Sequence, residues 1–106
     1  MEKPNLKYIK ELSEGDLDFE RNLIAILKKE LPEEYEVFLK NFEEKKFTET
    51  AENVHKLKHK ISILGLVKGY EQAVIFENNL KERGGIEHYQ PFTKTIEIMI
   101  DFLAPL

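Results

Sequence analysis

Between residues 47 and 64 apolar side chains return at every third or fourth position, at Phe47, Ala51, Val54, Leu57, Ile61 and Leu64, with mostly polar or charged residues between them. That spacing lays one apolar stripe along an α-helix, and a half-buried strand would instead alternate at every second residue. The same period runs through most of the chain. A short opening helix is predicted over residues 6–12, capped by Asn5, with Gly15 beyond its end. A second begins near Asp16 or Asp18 and carries Phe19, Leu23, Ile26, Leu27 and Leu31 as its apolar positions. Pro32 lacks a backbone donor, so it predicts a break or bend there and suits the first turn of a third helix. That third helix runs to about Lys46 and buries Tyr35, Phe38, Leu39 and Phe42. The fourth covers residues 48–64, and Gly65 can supply the left-handed residue that ends it. A fifth, over residues 67–83, buries Tyr70, Ala73, Val74 and Leu80 and stops at Gly84 and Gly85. The last begins near Pro91 and turns Phe92, Ile96, Met99, Ile100 and Leu103 inward.

The four predicted segments after Pro32 are each roughly 14 to 18 residues, or about 21 to 27 Å at the helical rise. Matched lengths and short connections predict an all-α fold, an antiparallel four-helix bundle with two additional N-terminal helices over one end or side. The length of 106 residues suits one domain with a sufficient core, and no internal repeat divides it. Monomer is the expectation, since each amphipathic face finds a partner within the bundle. The absence of cysteine excludes disulfides and thiolate metal centres and is compatible with a reducing compartment. Residues 1–10 mix charged and apolar types without the continuous apolar run of a signal peptide, and no segment reaches the roughly 20 apolar residues that span a bilayer. A net charge of −4 argues against a general nucleic-acid binder. Charge is nevertheless segregated: Lys56, Lys58, His59 and Lys60 follow an acidic stretch holding Glu33, Glu34, Glu36, Glu43 and Glu44. Most such runs are simply solvated helix surface.

His55 lies roughly 110° around the helix from the centre of the apolar stripe, so it is expected at the surface beside the buried seam. Lys58 and His59 stand one turn further along the same side, near the surface, and Ser62 two turns along. A neutral imidazole is a nucleophile, and a nearby ammonium can stabilise charge on a transferred phosphoryl group. An isolated exposed histidine more often does nothing beyond meeting solvent.

The residues His55, Leu57, Lys58, Leu64 and Gly65 change that weighting. Together they resemble the signature of histidine phosphotransfer (HPt) domains, a histidine opening the pattern H-x-L-K-G with L-G following. At average residue usage a chance match of these five is on the order of one in ten thousand. The Phe76-Glu77 pair followed by Leu80 resembles the family's next helix, and the likeness extends from about Leu12 to Leu103. One departure stands out. The family usually has glycine four residues after the histidine, where this chain has His59, and a small residue next, where it has Lys60. A small residue leaves room for a partner's loop, so His59 either narrows that approach or itself touches the partner.

The resemblance implies a phosphoryl carrier rather than an enzyme. A phosphoaspartate on a response-regulator receiver domain would pass its phosphoryl group to His55, which would pass it to another receiver, with a hybrid sensor histidine kinase upstream. The domain would need no cofactor, since the magnesium and acidic pocket belong to the receiver. Lys58 would stabilise phosphoryl charge, while Lys56, His59, Lys60 and Ser62 would meet the receiver. The location implied is cytoplasmic, either as a free-standing carrier or as the cytoplasmic domain of a larger membrane-bound sensor kinase. Two alternatives stay open. An HPt-like module could dock receivers without accepting phosphate. Less favoured is a metal site on His55 and His59, four apart with Glu52 one turn before, because no second histidine-bearing helix completes it and three lysines surround it. Nothing resembles a nucleophile elbow or a phosphate-cradling glycine loop. His88 is assigned no function.

Overall fold

Local chemistry marks several of the helix ends. In the computed structural model, which describes residues 2–82 and 85–106, 80% is helix and no strand occurs among the described residues. The elements are α1 (Lys7–Ser13), α2 (Leu17–Glu43), α3 (Phe47–Ile63), α4 (Val67–Glu82) and α5 (Tyr89–Leu103). Asp16 caps α2 by accepting from the Phe19 N–H at 3.1 Å, and Asp18 and Glu20 add negative charge to its first turn. Asn5 accepts from the Lys7 N–H at 3.0 Å at the start of α1. The predicted end at Arg83 and Gly84 lies outside the described residues.

The expected break at Pro32 does not occur: α2 runs through it for 27 residues, about 40 Å of the molecule's 45 Å length. Leu27, Leu31, Tyr35 and Phe38 form one buried stripe spanning the proline. Burying those four side chains is worth about 1.5–3 kcal/mol each, whereas a helix-interior proline costs about 3 kcal/mol in total. The stripe therefore wins. Among the described residues five helices therefore stand where six were expected, because the second and third are one continuous helix and only α1 precedes it. Of the apolar positions in its first half, Phe19 and Ile26 lie apart from this stripe and are 45% and 49% exposed. Tyr70 and Val74 are only half-buried.

Two similar turns flank α3. After α2, the Lys46 N–H reaches the Asn41 carbonyl and the Lys45 N–H that of Phe42, with Lys45 at φ +58°. After α3, the Leu66 N–H reaches Ile61 and the Gly65 N–H reaches Ser62, with Gly65 at φ +78°. Gly65 is doubly required. A Cβ there would lie 2.6 Å from Asn5 Nδ2, because the N-terminal segment crosses this turn and the Asn5 N–H donates to the Leu64 carbonyl at 2.9 Å.

α3 packs on α2 and on α4, α5 packs on α4 and α2, and α1 lies against α2. Phe38, Phe76 and Phe92 meet at the centre, with ring centroids 5.0 to 6.2 Å apart, and tie α2, α4 and α5 together. Ile9 brings α1 into the same core.

Candidate functional site

The site forms where α3 meets α4. Gly69, Ala73, Glu77 and Lys81 are spaced by four and share one side of α4. The first two are small and buried, which lets α3 approach: a Cβ on Gly69 would already lie 3.3 Å from Ile61 Cγ2. The next position on that side is Glu77, only 3% exposed, so a carboxylate sits in the seam between two helices.

That carboxylate is fully engaged. Lys58 Nζ donates to Oε1 at 2.8 Å, Lys81 Nζ lies 2.9 Å from Oε2, and His55 Nδ1 lies 3.1 Å from Oε2. Burial alone pushes the carboxyl pKa up, but the hydrogen bonds from Lys58, Lys81 and His55 outweigh it and hold the group down at about 2. Glu77 is therefore ionised at neutral pH and can only accept. Nδ1 of His55 must then carry the proton, and in the neutral ring the lone pair lies on Nε2. Nε2 makes no hydrogen bond among the described residues, and the side chain is 54% exposed. Glu52, His55, Lys56, Glu77 and Lys81 line an open cleft of about 410 Å³ here. The arrangement resembles the orienting half of an acid–histidine pair: a fixed tautomer with its nucleophilic nitrogen turned to solvent.

The remaining predicted residues divide. His59 is exposed and meets the His55 ring edge-on, with centroids 5.0 Å apart, so it shares the His55 face. Lys56 is exposed and borders both this cleft and a second one lined by Glu33, Glu34, Val37 and Asn53. Ser62 is exposed two turns away. Lys58 corrects an expectation: its side chain is 13% exposed, not near the surface, because Glu77 draws it into the seam. Lys60 is equally covered and turned toward α2, where it pairs with Glu34 at 3.0 Å and Glu30 at 3.3 Å. Its charge is neutralised within the chain instead of standing free for a partner.

No cluster of three or more His, Asp or Glu suited to a metal occurs among the described residues. Among the described residues no helix is long and apolar enough to cross a membrane. His88 Nδ1 is buried, has no hydrogen-bond partner among the described residues and stands outside this cluster. Sequence reasoning missed the roles of Glu77 and Lys81. A signal existed: Glu77 interrupts the buried run Ala73, Phe76, Leu80, and a charge on an apolar helix face needs a partner. Comparison with protein-family models, curated proteins and solved structures finds no match to this chain.

Proposed function

We propose that the chain is a histidine phosphotransfer domain, a carrier without catalytic machinery of its own, whose His55 Nε2 accepts and returns a phosphoryl group. The observation that carries this reading is the 3.1 Å contact between His55 Nδ1 and the buried, ionised Glu77. It gives the ring one available lone pair, and it supplies a counter-charge for the imidazolium created when that lone pair bonds to phosphorus. A solvated surface histidine has no need of a buried carboxylate. The sequence signature around His55, Lys58, Leu64 and Gly65 points the same way.

On this reading α2 to α5 form an antiparallel four-helix bundle, supported by three-residue connections on both sides of α3 and by the packing of α5 between α4 and α2. The donors and acceptors are response-regulator receiver domains, fed by a hybrid sensor histidine kinase on the cytoplasmic side. Their aspartates and magnesium perform the in-line displacement, and this chain contributes an oriented nucleophile. Lys56 and His59 border the docking face, and the domain works as a monomer.

The test is transfer from a phosphorylated receiver. His55→Gln should abolish an acid-labile label with helicity retained, while His59→Gln should keep it. A label that survives His55→Gln overturns the acceptor assignment. Docking without transfer has one observation in its favour, the His59 ring packed against His55. Receiver binding without any label on the wild type would establish that second reading.

A further inference from the structure

Two lysines reach Glu77, and they differ in freedom. Lys58 is 13% exposed and holds Oε1, whereas Lys81 is 56% exposed and shares Oε2 with His55 Nδ1. Since Lys81 Nζ and His55 Nδ1 lie 2.9 and 3.1 Å from that one oxygen, they are at most 6.0 Å apart. Both side chains line the same open cleft. The Glu77–Lys81 pair is an i,i+4 contact with a largely exposed lysine, a weak hold that solvent screens. Removing Lys58 would instead strip Oε1 of its donor inside the buried seam, where water cannot replace it.

We propose that Lys81 is the cation that binds the phosphoryl group on His55, moving from Glu77 Oε2 to the phosphoryl oxygens while Lys58 stays in place. This rests on the phosphotransfer reading above. As the Nε2 lone pair forms the P–N bond, the P–O bond of the receiver's aspartyl phosphate breaks and the carboxylate leaves with its electron pair. The Nδ1 proton stays, so the ring becomes an imidazolium beside a phosphoryl group of charge −2. Imidazolium then supplies at Oε2 the positive charge that Lys81 had supplied. Lys81 is released where new negative charge has appeared, within a lysine side chain's reach.

The inference is tested on chain carrying His59→Gln and His88→Gln, which leaves His55 as the sole histidine, phosphorylated chemically with phosphoramidate. The 31P resonance is followed through pH, since a cation on the phosphoryl oxygens lowers their proton affinity. Lys81→Gln should raise that proton affinity about tenfold, moving the midpoint up by about one pH unit, and Lys81→Arg should restore it. Lys58→Met should move the midpoint less, although it lowers stability more. An unchanged midpoint in Lys81→Gln, or a larger change in Lys58→Met, overturns the role of Lys81. Neither result bears on relay function, which fails separately if no phosphorylated receiver exchanges with the wild-type chain.

Discussion

Replacing Glu77 with glutamine removes one charge from the α3–α4 seam and preserves its shape. The carboxyl sits at about 2 against an ordinary 4.5, and a shift of roughly 2.5 units corresponds to about 3 kcal/mol between the ionised and neutral forms. Lys81 and His55 are more than half exposed, so solvent screens their share and a loss of about 2–3 kcal/mol is the better expectation. The direction with pH follows from linkage. A carboxyl depressed in the folded state contributes stability above the unfolded value near 4.5, and that contribution disappears as pH falls toward 2. Glu77→Gln, which mimics the protonated group, should therefore melt roughly 10–20 °C below wild type at pH 7. At pH 3 the difference in stability should be less than half its neutral value. Urea unfolding of both proteins at the two pH values measures this, and a cycle with Lys58→Met assigns the main partner. An equal deficit at both pH values, or one under about 1 kcal/mol at neutrality, would refute the electrostatic account.

Two further substitutions probe the fold that carries the site. Pro32→Ala should stabilise the protein by about 1–2 kcal/mol, since α2 regains a backbone bond while the unfolded chain gains some freedom; a lower urea midpoint would show that the proline ring is needed against α5. Gly65→Ala should cost about 2 kcal/mol or more, because it forces a side chain into the left-handed region and onto Asn5. Unchanged stability in that variant would mean that the N-terminal segment does not press on this turn.

The stripes of α3 and α5 were legible in the sequence because each helix buries one face, and the three-and-four spacing records which. Gly65 was legible for a similar reason, as a local backbone requirement visible in one residue type. The helix boundary expected at Pro32 is absent because the proline rule is local while its outcome is not. Whether a helix survives a missing bond depends on the burial of Leu27, Leu31, Tyr35 and Phe38 against neighbouring helices, which proline itself does not report.

For the candidate site, the sequence by itself determined that His55 lies beside an apolar seam, with Lys58 one turn along it. Helical geometry fixes such neighbours without reference to the rest of the chain. Only the tertiary structure decided what those residues face. Glu77 is 22 positions from His55, on another helix, and it reaches Nδ1 because Gly69 and Ala73 let α4 close on α3. Glu77 sets the His55 tautomer through Oε2 and draws Lys58 inward through Oε1, while Lys81 stays largely exposed. Lys60 was decided in the same way, since two glutamates of α2 capture its charge. Charges act over a few ångströms of space, and neighbours across a helix pair are assigned by packing, not by spacing along the chain.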